Sequence, residues 1–229
     1  MRTLAILPVK SFTAAKQRLA EALGTGSRVA LAQAMLVDVL ASARRAPGLD
    51  GIAVVTSDRV AESAAAGSRG GVLLLREEGQ SGHSAAALLG IRRALADDYD
   101  RVLLIPGDTP LVQAAELAAL LAGATGVVVV PDRHGTGTNA LVLSPPDAIE
   151  PSFGPGSLER HVAAAEAAGV PCRVEEVPGL GLDVDTPDDL AALSAELDLS
   201  HGAAPATRGA LRQLDRAGAQ PLRLPHVSR

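Results

Sequence analysis

Lys10 and Lys16 are the only lysines in a chain that otherwise uses arginine for its strong cations. They share one short loop after a first apolar run, Leu4 to Leu7. A lysine ammonium is a compact point charge on a flexible stem, which suits a phosphate that moves or leaves. Chance retention of two surface lysines is the plainer alternative; the pattern points to a triphosphate-binding loop. Carboxylates suited to a hard divalent cation stand at two further places. Asp108 follows an apolar run and the pair Pro106-Gly107, and Pro110 closes its loop. Helix capping would explain an aspartate there. A carboxylate at the end of a central buried strand is also a natural Mg2+ ligand, because magnesium takes one or two protein carboxylates and leaves the rest to phosphate and water. The second place is Asp183-Val184-Asp185-Thr186-Pro187-Asp188-Asp189. Thr186 reads as a helix N-cap, Pro187 as the first helical residue and Asp189 as the acidic third position. Asp183 and Asp185 are then free of capping duty. They read either as an ordinary acidic strand end or, since residues two apart in a strand share a face, as two ligands of one metal.

These groups need a frame to bring them together. Strand-like runs at Leu4–Leu7, Gly51–Val55, Val72–Leu75, Arg101–Ile105, Val127–Val130, Asn139–Leu143, Cys172–Val177 and Leu182–Val184 alternate with helical patterns. The helices are expected at Ala14–Leu23, Ser27–Arg45, Arg59–Ala66, His83–Ala96, Ala114–Leu121, Leu158–Ala168 and Pro187–Leu197. That alternation predicts an α/β domain with a mixed, mainly parallel sheet and helices on both faces. No helix separates the fifth and sixth strands, so the sixth is expected to run antiparallel to its neighbour. In open α/β sheets ligands bind beyond the carboxyl ends of the strands, and those loops carry Lys10, Asp58, Asp108, Asp132 and Asp185. One domain is expected over 1–199. Residues 200–229 read as a basic C-terminal tail of disorder-prone composition, with room for a short helix around Ala210–Arg216.

Composition narrows the classes. One Tyr, two Phe and no Trp leave small aliphatic side chains to fill the core. Cys172 is the single cysteine, which excludes an internal disulfide and a cysteine-rich zinc site. Net charge is -5, and the segment from His201 onward is basic, so the body is more acidic still. An acidic body argues against a nucleic-acid partner. With no membrane-length apolar run and no signal-peptide pattern, a cytoplasmic protein is the expectation. Self-association is left open.

Two glycine-bearing stretches offer anion donors. Gly135-Thr136-Gly137-Thr138-Asn139 opens a strand and lacks the third glycine of a dinucleotide fingerprint. Gly154-Pro155-Gly156-Ser157 precedes a helix, where free N–H groups favour a phosphate; plain turn chemistry with a serine cap fits equally.

Taken in order, Pro8-Val9-Lys10-Ser11-Phe12, Ala15-Lys16, Gly107-Asp108-Thr109-Pro110-Leu111, Gly135 to Leu141, Phe153 to Ser157 and Asp183 to Pro187 resemble the CofC/FbiD guanylyltransferases of deazaflavin coenzyme F-420 biosynthesis. The resemblance spans about residues 4 to 197. It implies a nucleotidyltransferase-type sheet, GTP as donor and a small phosphorylated three-carbon acid as acceptor, either phosphoenolpyruvate, 2-phospho-L-lactate or 3-phosphoglycerate. It implies Mg2+ on Asp108, Asp183 and Asp185, and Thr138, Gly154 and Ser157 at the acceptor phosphate. Lys10, Lys16 and Asp108 are the expected catalytic groups. Pro8, Val9, Lys16, Glu77 and Gly82 are expected to hold the nucleotide, with Glu77 or Glu78 reading the guanine edge. The glycine-rich first loop of the wider superfamily is replaced here by Pro-Val-Lys. Rival readings are another guanylyltransferase, such as a molybdenum-cofactor type, and a non-catalytic nucleotide-binding protein on the same fold.

Overall fold

The computed structural model describes residues 1–12, 16–20, 23–67, 71–77, 82–200 and 202–216. Its elements are β1 (Thr3–Pro8), a 3-10 turn (Gln17–Leu19), α1 (Thr25–Arg45), β2 (Gly51–Thr56), α2 (Arg59–Gly67), β3 (Val72–Arg76), α3 (His83–Ala96), β4 (Arg101–Leu104), α4 (Ala114–Leu121), β5 (Gly126–Pro131), β6 (Thr138–Ser144), α5 (Ser157–Ala167), β7 (Cys172–Val174), α6 (Pro178–Gly181), α7 (Pro187–Leu199) and α8 (Pro205–Arg216). The strands form one sheet in the order β3-β2-β1-β4-β6-β5-β7. All pairings are parallel except those of β6, which runs antiparallel to both β4 and β5.

Alternation along β1 explains the two-faced core. Ala5 and Leu7 face one layer with Leu31, Leu36 and Val39 of α1, Leu117 of α4 and Leu193 of α7. Leu4 and Ile6 face the other with Ala87 and Ile91 of α3 and Ala165 of α5. Every residue of β1 is buried, as a strand covered on both sides must be. Gly90 lets α3 lie directly on β1, since a Cβ there would collide with Ile6. Among the described residues no helix is long and apolar enough to cross a membrane.

Three local expectations are corrected. In place of a helix over Ala14–Leu23, the described part of that stretch forms only the 3-10 turn at Gln17–Leu19, because Lys16 sits in the left-handed region (φ 60°, ψ 32°), where an α-helix cannot continue. Ala14, Ala15, Glu21 and Ala22 lie outside the described residues. The strand expected over Leu182–Val184 is irregular backbone, preceded by α6. The seventh strand stops at Val174, three residues short of the expected Val177. The expected cap at Thr186 is present: its hydroxyl accepts from the Asp189 N–H, and Pro187 opens α7.

Beyond residue 200 the helix begins five residues earlier than the composition suggested. Asp38, on α1, accepts from the first-turn N–H groups of Ala206 (3.1 Å) and Thr207 (2.7 Å), so a side chain of one helix caps another. Leu211 and Leu214 pack on the core from α8. Replacing Asp38 with Ala strands those two donors and is expected to cost about 2 kcal/mol, the scale of hydrogen bonds to a charged group. Thermal unfolding of Asp38→Ala should show it, with faster proteolytic cleavage near Ser200; an unchanged melting temperature would mean that α8 adds nothing to the body.

Candidate functional site

A cleft of about 720 Å³ opens where β1 and β4 end and the reversed strand β6 begins. Pro8, Val9, Lys10, Lys16, Gly107 and Asp108 line it. Thr138, Asn139, Phe153, Gly154, Asp183 and Asp185 complete the lining. A side lobe of about 190 Å³ continues between Pro8, Lys10, Ser57, Glu77, Gly82 and His83.

The first loop is tied down by Asp58. Its carboxylate accepts from Ser11 Oγ (3.0 Å) and the Phe12 N–H (2.9 Å), and from the Val60 and Ala61 N–H groups at the start of α2. Burial pushes the Asp58 pKa up, but these donated bonds outweigh burial and hold it below the usual carboxylate range. The strand-end aspartate Asp58 is therefore an anchor of the loop that carries Lys10, which stands exposed.

Lys16 bridges two carboxylates. Its Nζ donates to Asp108 and, at 2.7 Å, to Asp185, and its side chain is only 5% exposed. Burial alone would lower the ammonium's pKa; the charges of Asp108 and Asp185 overcome it and keep Lys16 protonated above the ordinary lysine value. Asp185 moves the opposite way from the ordinary carboxylate, lowered by Lys16 against the upward push of burial. Asp183 is raised, first by burial and then by the negative charge of Asp108, with Asn139 opposing. Since the backbone here is not a strand, the two aspartates do not share a face by alternation. Asp185 turns to Lys16, while Asp183 is held by Asn139 Nδ2 (3.1 Å), which also donates to the Leu180 carbonyl (2.8 Å).

Among the described residues no three acidic, histidine or cysteine side chains meet closely enough to cage a metal ion. Magnesium asks for less, one or two carboxylates with phosphate and water completing its shell. Asp108 with Asp183 or Asp185 would offer such a cation an all-oxygen pair. The repulsion that raises Asp183 is what a divalent charge would relieve.

The loop before β6 is braced separately. Asp132 accepts from the His134 and Thr136 N–H groups (3.2 and 3.0 Å), which makes it a turn residue. Arg133 pairs with Asp189 at 2.5 Å. The other Asp189 oxygen accepts from the N–H groups of Asp185 (3.0 Å) and Thr186 (2.7 Å). One carboxylate thus braces both the Thr138 loop and the Asp185 loop. Thr138 Oγ1 lies 3.0 Å from His161 Nδ1, and His161 Nε2 accepts from the Ser152 N–H at 2.9 Å.

Of the expected site residues, Pro8, Val9, Lys10, Lys16, Gly82, Asp108, Thr138, Gly154, Asp183 and Asp185 all line this cleft, and Glu77 lines its side lobe. Ser157 stands apart. It is buried in the first turn of α5, its hydroxyl without a partner, and Phe153 and Gly154 form the cleft wall instead. Gly156, in the left-handed region (φ 71°), holds the cap position that plain turn chemistry would give to serine. Glu78 lies outside the described residues. Sequence reasoning missed Asn139 and His83 as site residues. His83 lines both parts of the cleft, its ring edge-on to Phe153 at 4.9 Å and its pKa pushed down by burial to about 4. Asn139 could have been noticed as a polar residue opening an otherwise apolar strand; a histidine beginning a helix carries no such signal.

The Asp183 carboxyl has a folded pKa above its unfolded value, so its ionisation opposes folding. The penalty is absent below about pH 3.8, where the group is protonated in both states, and grows as pH rises through the folded pKa. Asp183→Asn keeps an acceptor for Asn139 and removes the charge. With chelator present it is expected to melt higher than the wild type at pH 8 and equally at pH 3.5. A lower melting point at pH 8 would show that the carboxylate is favourably held.

Residues 3–221 match the family model described as "Guanylyl transferase CofC like". A phosphoenolpyruvate guanylyltransferase of Conexibacter woesei is 46% identical over 93% of this chain and 97% of its own length. A 2-phospho-L-lactate guanylyltransferase of Methanothermobacter thermautotrophicus is 34% identical over 93% of this chain and 92% of its own. Among solved structures, a Desulfovibrio desulfuricans protein described as a nucleotide-diphospho-sugar transferase superposes with a TM-score of 0.75 at 18% identity, over 93% of this chain and 95% of that one, which is a likeness of fold. With its sheet order, its cleft and nearly its whole length accounted for, the chain belongs to the CofC-like guanylyl transferase family.

Proposed function

We propose that this enzyme transfers the guanylyl group of GTP to the phosphate of phosphoenolpyruvate, giving a guanosine diphosphate-linked three-carbon acid and pyrophosphate, in coenzyme F-420 biosynthesis in the cytoplasm. The observation that carries the reading is one cleft lined both by charged groups, Lys10, Lys16 and three aspartates, and by the uncharged Thr138 and Gly154. The similarity to the Conexibacter phosphoenolpyruvate enzyme exceeds that to the phospholactate enzyme, which supports the choice of acceptor.

In the transfer, an acceptor phosphate oxygen bonds to the α-phosphorus of GTP as the bond from that phosphorus to the bridging oxygen breaks, and pyrophosphate leaves with the electron pair. The acceptor is already an anion at neutral pH, so no base is needed and the difficulty is bringing two anions together. Asp108, Asp183 and Asp185 would hold Mg2+, which neutralises phosphate charge and orients the leaving group. Lys10, exposed at the mouth, meets the triphosphate, while Lys16 holds Asp108 and Asp185 at a set separation. Thr138 and the backbone of Gly154 hold the acceptor phosphate with neutral donors, which quench its nucleophilicity less than an arginine would. The side lobe, with Glu77, Gly82 and the backbone of Pro8 and Val9, takes the base. A carboxylate there accepts from guanine N1–H and N2–H and has no such donor in adenine N1.

Incubation of the chain with GTP, Mg2+ and each of phosphoenolpyruvate, 2-phospho-L-lactate and 3-phosphoglycerate, read by mass, tests this. Phosphoenolpyruvate should give the main guanylylated product. A mainly phospholactate product would overturn the acceptor, and no pyrophosphate with any of the three would overturn the reaction. Asp108→Asn should abolish turnover.

Lys16→Ala should lose most of the activity, and Lys16→Arg should not restore it. A planar guanidinium does not fit a buried position built for a compact ammonium between two carboxylates. Steady-state rates at saturating Mg2+ check this; full rescue by Arg would mean that charge alone matters there.

A further inference from the structure

We infer that His161 is a positioning residue that compels the Thr138 hydroxyl to donate its proton into the cleft, presetting a donor for the acceptor phosphate. The inference rests on the assignment of Thr138 to the acceptor and goes one step behind it, to a side chain that touches no substrate.

A threonine hydroxyl is ambivalent, one donor with two acceptor lone pairs, and at a cleft wall it can present either face to a ligand. Here the ambiguity is removed from behind. The Ser152 main-chain N–H can only donate, and it points at His161 Nε2 at 2.9 Å. That nitrogen must therefore be bare, and a neutral imidazole then carries its proton on Nδ1. Nδ1 lies 3.0 Å from Thr138 Oγ1, so the ring donates and the hydroxyl accepts. The Thr138 proton has to be directed elsewhere, and the cleft that Thr138 lines is open to it.

The surroundings keep His161 in this state. The ring is fully buried, and burial, with the Arg160 charge added, lowers its pKa to about 4, so it stays neutral at working pH. Phe153, itself on the cleft wall, packs edge-on to it at 5.4 Å. Arg160, next in sequence, holds the remaining polar atoms of Ser152, donating to its hydroxyl and its carbonyl, both at 2.9 Å. Ser152 thus cannot turn its N–H away without breaking three bonds. A phosphate oxygen accepts and never donates. A wall donor fixed in advance meets it with no hydroxyl reorientation on binding, which is preorganisation in the sense that favours transfer.

Two substitutions take the ring's two roles apart. The amide of His161→Gln reaches the Nε2 position and keeps an acceptor for Ser152, but leaves Thr138 without its donor. The amide of His161→Asn places an N–H near Nδ1 and keeps that donor. Steady-state kinetics should show His161→Gln raising the KM for phosphoenolpyruvate roughly threefold to tenfold, the scale of a neutral hydrogen bond. The KM for GTP should stay within about twofold, and His161→Asn should lie nearer the wild type. Thr138→Val, which removes the hydroxyl itself, should raise that KM at least as much as His161→Gln, and adding His161→Gln to it should cost nothing further, since the ring acts only through that hydroxyl. Additive losses, or an equal rise in both KM values, would reduce His161 to a packing residue and overturn the inference. If Thr138→Val raises the phosphoenolpyruvate KM and His161→Gln does not, the positioning role falls and the acceptor site stands; if Thr138→Val leaves that KM unchanged, both fall. Nitrogen-15 NMR of the wild type gives an answer independent of folding in the variants: a proton on Nδ1 is expected, and a proton on Nε2 would refute the argument outright.

Discussion

The site depends on an ammonium held between two carboxylates. Lys16 joins Asp108 and Asp185, which lie 92 and 169 residues further along the chain. Three segments that share no local reason to meet are brought to one point by charge. The arrangement is costly in parts and stable as a whole. Burial disfavours each ion alone, and Asp183, which Lys16 does not reach, keeps the signature of that cost in its raised pKa. Functional sites are where such like-charge crowding is tolerated, and here the crowding is arranged beside the loop that carries the second lysine.

The reversed strand supplies the uncharged part of the cleft lining. In a purely parallel sheet the ligand edge is built only from carboxyl ends. Because β6 runs against β4 and β5, its first residues, Thr138 and Asn139, arrive at that same edge. Thr138 lines the cleft, and Asn139 reaches back to Asp183 and the Leu180 carbonyl. The tight turn before them is set by Asp132, against which a Cβ at Gly137 would press at 2.6 Å. A single antiparallel strand thereby lets one edge of the sheet carry both a charged and an uncharged half.

The sheet, its two faces, the reversal of β6 and the cap at Thr186 were legible because each is written locally. Apolar runs, helical stripes, a missing crossover and a Thr-Pro pair carry them. Lys16 and Asp108 were legible as charged residues in loops that follow strands, and Asp185 as an acid ahead of the Thr186 cap. Their contact was not, since no spacing rule relates residues so far apart. The helix expected through Lys16 failed because the ion pairs hold that residue where propensity would not put it, with left-handed backbone. The face-sharing argument for Asp183 and Asp185 failed because α6 and the Asn139 clamp replace the expected strand. Ser157 shows the limit of motif reading: the serine is present at the helix start, but Gly156 takes the cap and the hydroxyl turns inward.

The bridge from Lys16 also has a consequence for how the enzyme comes off the ribosome. β1 is made first yet lies mid-sheet, between β2 and β4. Its first partner follows promptly, but its second waits for residue 101 to be made. Lys16 gains Asp108 soon after and waits longer for Asp185, and α1 gains its last helical neighbour only when α8 arrives to be capped by Asp38. The nascent chain therefore carries an open central strand edge until β4 is made, and a lysine without its second carboxylate for most of its synthesis. A transcript cut short just before Asp183 would therefore yield all seven strands and a cleft lacking two of its carboxylates.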